Sequence, residues 1–360
     1  MAITSAIMAA PDKNVEAFRA TLLKWYDRHR RILPWRAPKG RKADPYHVWL
    51  SEIMLQQTTV PAVVPYFLKF LDKWPTVHDL AGADSETVMQ NWAGLGYYAR
   101  ARNLHKCAKY VSETLNGEFP STIEKLKDLS GVGDYTSAAI SAIAFNKPAN
   151  VVDGNVERVM ARIFAVTQPV PDSKPFLKQL AGGMAEGETA RPGDYAQALM
   201  DLGATVCTPS SPKCMLCPVR NFCDGSEQGI AAGLPARKAK AQKPQKHGYV
   251  YWLTDSKGCI LFEKRGEKGM LGGTIGLPTS AWLDIALEKT HLVGTINGKK
   301  SRVMVRHSFT HFDLELEGIT ATVGEKKVLP KGGNYFWVSP EQAETLGIPT
   351  LFKKALKQFI

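Results

Sequence analysis

From about Val15 to Gly225 the apolar residues recur at helical spacing. Phe18, Leu22, Leu23 and Tyr26 form one stripe, and Val156, Val159, Met160, Ile163 and Phe164 form another. Ser121 with Glu124 gives a capping-box signal ahead of Leu126 and Leu129. Large apolar residues then thin out over 226–247. Arg237, Lys238, Lys240, Lys243 and Lys246, with Pro235 and Pro244, predict an exposed basic linker there. Beyond it the period changes to that of strands. Residues 249–254, 259–264, 302–306 and 309–316 are expected strands, with Phe312, Leu314 and Leu316 alternating against His311, Asp313 and Glu315. Helical pieces near 282–287 and 351–359 complete the pattern. The expected architecture is a mainly α domain over 1–225, a linker over 226–247 and an α+β domain over 248–360, with no internal repeat.

Composition adds a partner class. The 360 residues carry 46 Lys and Arg against 34 Asp and Glu, a net charge of +12. An excess of that size suits a polyanion, most simply nucleic acid. The first 14 residues lack a basic segment followed by an apolar one, so no signal peptide is expected. No apolar run approaches the ~20 residues that span a bilayer, and no membrane role is expected. The protein is expected to be intracellular, where free thiolates survive.

Four of the six cysteines fall within 17 residues as C-x6-C-x2-C-x5-C: Cys207, Cys214, Cys217 and Cys223. Structural zinc sites use well-separated paired arms or Cys and His mixtures. This run has one C-x2-C and no His, which favours a [4Fe–4S] cluster over zinc. Disulfides would need an oxidising compartment.

Two further segments carry candidate chemistry. Leu129-Ser130-Gly131-Val132-Gly133 lies between helical stretches, the second of them Ala-rich. Gly131 and Gly133 would allow positive φ and expose backbone N–H groups, and the following helix start would add positive potential for a phosphate. Twenty residues past Gly133, Asp153 precedes an amphipathic helix. It is expected both to cap that helix and to present a carboxylate to a cationic transition state. Glu52 has Val48, Trp49 and Leu55 as helical neighbours. A carboxyl on such a face should be desolvated, with a raised pKa suited to a general acid.

These motifs in this order resemble the helix–hairpin–helix DNA glycosylase superfamily with an iron–sulfur cluster, whose two helical lobes bind DNA between them. Leu33-Pro34-Trp35-Arg36, the run from Trp49 to Thr58 and the run from Gly94 to Leu104 narrow the resemblance to the adenine DNA glycosylase (MutY) family. The resemblance implies that Glu52 protonates N7 of an extruded adenine and that Asp153 stabilises the sugar cation. It implies that Tyr135 hydrogen-bonds near the sugar or Asp153, and that Asn155 orients the catalytic groups. Trp35, Arg36 and Gln197 would form the adenine pocket, while Gln57 and Tyr97 would fill the stack around the lesion. Lys213 would meet the DNA backbone. Bifunctional relatives carry a lysine two residues after the second hairpin glycine; Tyr135 stands there, so no efficient lyase activity is expected. Ser130, where proline is common, and Asp134, where a basic residue is common, depart from the pattern, and Asp134 would weaken the phosphate contact.

The last domain resembles the Nudix-like C-terminal domain of the same family. It lacks the Gly…Arg-Glu-x-x-Glu-Glu helix of a working Nudix hydrolase, 276–287 holding a lone Asp284. It is expected instead to read 8-oxoguanine through Ser308, Thr310 and His311, with threonine where the family has serine. Leu271 stands where an aromatic is common. The expected protein is a cytoplasmic monomer on bacterial nucleoid DNA, acting on 8-oxoG·A or G·A mispairs in double-stranded DNA. Two alternatives stand beside it: an endonuclease III-like pyrimidine glycosylase/lyase, and a non-catalytic cluster-bearing DNA-binding or redox-sensing protein.

Overall fold

The structure, a computed structural model, describes residues 13–185, 190–238, 242–285, 298–323 and 334–360. The chain divides into two compact units, the first comprising 1–81 and 106–239 and the second 82–105 and 240–360.

Unit 1 is helical. Its principal core joins the helices Val15–His29, Asp134–Phe145, Gly154–Ile163 and Pro192–Thr205. Phe18, Leu22 and Tyr26 are buried as the stripe predicts, and so are Val156, Val159, Met160 and Ile163. The Asp134–Phe145 helix is Ala-rich for a reason of space. A Cβ on Gly193 would lie 2.5 Å from the Ala142 carbonyl oxygen, so the two helices meet backbone to backbone. Thr122, not Ser121, caps the short Ile123–Lys127 helix, its hydroxyl accepting from Lys125 N. Ser121 Oγ accepts from Lys147 Nζ at 2.7 Å instead.

The segment expected as an exposed linker is structured for much of its length. Asp224–Glu227 is helical, Arg237 bridges Val170, and Lys238 pairs with Asp172 at 2.6 Å. Lys240 lies outside the described residues, and Gln245 to His247 already belong to a strand.

Unit 2 is built on one sheet of β1 (Gln245–Thr254), β2 (Ile260–Lys264), β3 (Ile275–Gly276), β4 (Lys299–Ser308), β5 (Asp313–Thr322) and β6 (Asn334–Val338). The order is β3-β2-β1-β5-β4, with β6 also paired to β2. β1 and β5 run parallel from Gln245↔Asp313 to Thr254↔Thr322, and β4 and β5 form an antiparallel hairpin. Period-two alternation gives the sheet two apolar faces: Val250, Phe262 and Leu316 on one, Tyr249, Tyr251 and Leu261 on the other. The helix Thr350–Phe359 covers the first face through Leu351, Phe352, Ala355 and Leu356. Residues 282–285, expected to be helical, form a bridge and bends because Leu283 pairs with His247; 286 and 287 lie outside the described residues. Residues 309–312 form the turn ahead of β5 and not its beginning.

Phe352 is fully buried and fills the space beside Gly276, where a Cβ would meet its ring at 2.3 Å. Phe352→Ala is expected to cost unit 2 about 3–5 kcal/mol. Hydrogen exchange should show β1 and β2 losing protection while the helices of unit 1 keep theirs.

Candidate functional site

Unit 1 holds a cavity of about 690 Å³ lined by Trp35, Arg36, Glu52, Gln57, Tyr135, Asp153, Asn155 and Gln197, joined by Arg31 and Gln56. Eight residues singled out in the sequence thus converge on one space. Glu52 sits on the Pro45–Leu55 helix, which starts at Asp44 through a 2.8 Å bond from Tyr46 N. Glu52 is only 6% exposed. Burial pushes its pKa up to about 7, the Asp153 charge adding to the rise, and a hydrogen bond from Tyr135 and the Arg36 charge opposing it. The Tyr135 hydroxyl therefore serves Glu52, and it lies near enough to Asp153 to feel that charge as well. Burial, the two carboxyls and this bond hold the phenol far above its usual range, so it remains a proton donor.

Asp153 is the N-cap of the Gly154–Ile163 helix. One carboxylate oxygen accepts from Asn155 N at 2.9 Å and Val156 N at 2.8 Å, and the other from Asn155 Nδ2 at 2.7 Å. Three N–H donors hold the carboxylate in one orientation. Asn155 is fixed in turn by Arg158, whose Nη2 donates to Asn155 Oδ1 at 2.9 Å and to Gly203 O at 2.7 Å. Arg158 Nε donates to Cys207 O at 2.8 Å. Asp153 is thereby tied to the cysteine loop through two side chains.

The pocket wall rests on Asp201, which sequence reasoning missed. Its carboxylate accepts from Arg36 Nη1 at 2.6 Å and Nη2 at 2.8 Å, and from Arg31 N at 3.0 Å. Burial pushes this carboxyl up, and the hydrogen bonds and charges of Arg36 and Arg31 more than reverse it. Its position four residues after Gln197 on the Pro192–Thr205 helix was the available signal. Trp35 lines the cavity and is also anchored edge-on to Phe67, with centroids 5.3 Å apart.

The hairpin differs in one detail from its expectation. Gly131 has φ +81°, but Gly133 is extended and forms the N-cap of the Asp134–Phe145 helix without a side-chain cap. Asp134 is paired with Lys127 at 2.6 Å and Lys178 at 3.6 Å, so its charge is countered locally. Gln57 and Tyr97 are both exposed and both left-handed, at φ +57° and +46°. Non-glycine residues adopt that conformation at a cost, often where a side chain must project.

Cys207, Cys214, Cys217 and Cys223 line one narrow cleft with Val159, Ile163 and Leu202, and all are free thiols. Among the described residues no three His, Cys, Asp or Glu side chains close tightly enough to hold one metal ion. A cubane cluster spreads its thiolates over separate irons. The donor set fits the cluster. Arg162, fully buried, donates to Cys207 Sγ at 3.2 Å and to Thr208 O at 2.8 Å, placing a cation against the thiolates. Lys213 is exposed at the start of the Cys214–Leu216 turn.

In unit 2 the β4–β5 turn closes with Phe309 N donating to Phe312 O at 2.9 Å. Phe309 stacks on Trp282 at 5.6 Å and meets His307 at 4.6 Å. On this aromatic base Ser308, Thr310 and His311 are exposed. The Tyr97 and Thr310 hydroxyls hydrogen-bond each other.

Residues 50–181 match the model of the HhH-GPD superfamily base excision DNA repair proteins, 207–223 the iron–sulfur binding domain of endonuclease III, and 249–358 the NUDIX domain. A thermostable thymine-DNA glycosylase superposes with a TM-score of 0.51 at 30% identity, over 59% of this chain and 97% of that one. Fold and site thus define a base-excision DNA glycosylase of the helix–hairpin–helix class with a [4Fe–4S] cluster, and the four clustered cysteines fall within the matched iron–sulfur segment 207–223. Adenine DNA glycosylase from Homo sapiens is 35% identical over 96% of this chain and 74% of its own length. The Schizosaccharomyces pombe enzyme is 30% identical over 93% and 87%. The chain belongs to the adenine DNA glycosylases.

Gly203 sets the approach of the Pro192–Thr205 helix to this site, since a Cβ there would lie 2.6 Å from Asn155 Cβ. Gly203→Ala is expected to displace Asn155 and Asp153 and to slow single-turnover excision about 10- to 100-fold. Circular dichroism should show the helices retained.

Proposed function

We propose that this enzyme removes adenine opposite 8-oxoguanine or guanine in duplex DNA by hydrolysing the N-glycosidic bond, without efficient strand cleavage. The carrying observation is a buried Glu52 with its pKa near 7, hydrogen-bonded by Tyr135, in one cavity with the rigidly held Asp153 carboxylate. The target nucleotide leaves the stack to reach these groups. Glu52, protonated, gives its proton to adenine N7. The bond from N9 to C1′ breaks with its electron pair passing to the base, leaving an oxocarbenium-like sugar. Asp153 stabilises that cation. The Glu52 carboxylate then takes a proton from the water that attacks C1′. The cluster braces the cysteine loop and lies outside these steps. Arg36, fixed by Asp201, and Trp35 and Gln197 hold the base; Gln57 and Tyr97 occupy the stack; Gly131, Gly133 and Lys213 contact phosphates. The Ser308, Thr310 and His311 loop reads the opposite base, since a hydroxyl can meet the N7–H and O8 edge of 8-oxoguanine. The enzyme works as a monomer on nucleoid DNA in the bacterial cytoplasm.

No lysine is among the described residues lining the cavity, which supports hydrolysis over Schiff-base chemistry. Duplexes carrying 8-oxoG·A, G·A or thymine glycol, treated with and without alkali, test the reading. Adenine release that nicks the strand only after alkali is expected. Borohydride trapping of a protein–DNA adduct at the rate of turnover would refute it.

The pH dependence follows from Glu52. Its acid form is needed, so the single-turnover rate should fall about tenfold per unit as pH rises above about 7. Glu52→Gln should lose about 10²- to 10⁴-fold in rate. The same shift acts on stability. Below the ordinary value of 4.5 both folded and unfolded states carry the proton, and between 4.5 and 7 only the folded state keeps it. Wild-type stability therefore drops across that window as pH rises. Glu52→Gln is expected to melt higher than wild type at pH 8 and level with it at pH 4.

A further inference from the structure

Lys243 reads in the sequence as one more solvated lysine of a basic linker. In the structure it is half-buried, and its ammonium lies on the β4–β5 turn. Nζ donates to Ser308 Oγ at 3.1 Å and to Phe309 O at 2.7 Å. The strand register enforces the placement. β1 pairs in parallel with β5 from Gln245↔Asp313, and Asp313 N donates to Pro244 O at 3.0 Å. The chain entering β1 must therefore pass beside residues 309–312, and Lys243 is the side chain that reaches in. Fixing a lysine costs side-chain entropy, and hydrogen bonds from a charged donor offset that.

An ammonium has donors and no acceptor. Ser308 must therefore accept in its bond to Lys243, and its own proton is directed elsewhere. The contact selects the serine as an outward donor. It also fixes the carbonyl of Phe309, the residue immediately before Thr310. Lys246 supports the other end of the turn, 5.6 Å over the Phe312 ring and 3.1 Å from Asp284.

We propose that Lys243 is a positioning residue for opposite-base recognition: it locks the Ser308–Phe309 segment so that Ser308, Thr310 and His311 face the opposite base in one conformation. The proposal rests on the reading of this turn as the 8-oxoguanine reader, and it deepens that reading by adding the strut that makes the turn selective.

The test uses the full-length holoenzyme and compares Lys243→Met, Lys243→Arg and Thr310→Ala on 8-oxoG·A and G·A duplexes. Single-turnover rates, Kd and the salt dependence of Kd are measured for each. Lys243→Met is expected to lower the preference for 8-oxoG·A over G·A about five- to tenfold, through weaker binding of the 8-oxoG duplex. Excision from G·A should stay within about twofold, and Lys243→Arg, which keeps a charged donor, should restore most of the preference. Lys243→Leu, which also lacks a donor, gives the same comparison should the methionine variant fold poorly, and a full preference in it would count against the strut. Equal weakening on both duplexes with a salt slope shallower by about one would make Lys243 a phosphate contact and overturn the proposal. An unchanged preference in Lys243→Met overturns it as well. Thr310→Ala separates the two levels. If it leaves the preference intact, the turn is not the reader. If it abolishes the preference while Lys243→Met keeps it, the turn reads but Lys243 does not position it.

Discussion

The bonds from Asp153 through Asn155 and Arg158 to the Cys207 carbonyl form the constraint on which the rest of unit 1 depends. All but the last of these residues belong to one short helix and its cap, Gly154–Ile163. Its first turn holds the carboxylate, its middle and last turn grip the cysteine loop through Arg158 and Arg162, and its apolar face is the centre of the core. A helix can serve three masters only if its neighbours come close. Gly203 and Gly225 let them: a Cβ at either would lie 2.6 Å from Asn155 Cβ and from the Arg162 carbonyl oxygen, respectively. The cysteine loop and the aspartate thus share one support, Arg158, while the Gly203 carbonyl and the backbone N–H groups of Asn155 and Val156 hold the two ends independently.

The cavity beside this helix separates charges that would otherwise compete. Glu52 and Asp153 line one cavity, and the Asp153 charge makes Glu52 harder to ionise. Here the backbone of the helix start and Asn155 take Asp153, while Glu52 is left among apolar neighbours with a phenol as its partner. A third carboxyl, Asp201, is kept out of the exchange by two arginines that neutralise it. The same pairing holds Arg36 rigid and moderates how far its charge can pull Glu52 toward ionisation. Glu52, Asp153 and Asp201 thus differ through their environments, although all three begin as ordinary acidic side chains.

Those environments explain what was legible in the sequence. The cysteine spacing, the apolar neighbours of Glu52 and the place of Asp153 ahead of a helix are local patterns, and each residue's chemistry is set within a turn or two of chain. Asp201, Gly203 and Arg158 act on partners 170, 48 and 49 positions away at the relevant contacts, as with Arg31, Asn155 and Cys207. No periodicity encodes such pairings. The bond from Tyr135 to Glu52 shows the same limit, because Glu52 approaches from a helix more than eighty residues earlier. In unit 2 the alternation of Phe312, Leu314 and Leu316 was clear. The two-residue β3 and the bridge of Leu283 to His247 were not, since neither has length enough to show a period.

The local cost of this arrangement falls on the residues expected to touch DNA. Gln57 and Tyr97 hold left-handed backbone that a side chain does not favour, and Glu52 keeps its proton at the expense of folding above pH 4.5. Neither feature is needed to build the core, because Phe18, Leu22, Met160 and their neighbours close it without them. A fold selected for stability alone would place glycine at both strained positions and an apolar residue at 52. Strain at exposed side chains and a buried acid that keeps its proton are tolerable only if a ligand later exploits them. The proposed function would supply that use: in a duplex opened at one nucleotide, Gln57 and Tyr97 would fill the gap left in the stack, and an acid already holding its proton would meet the base that has left.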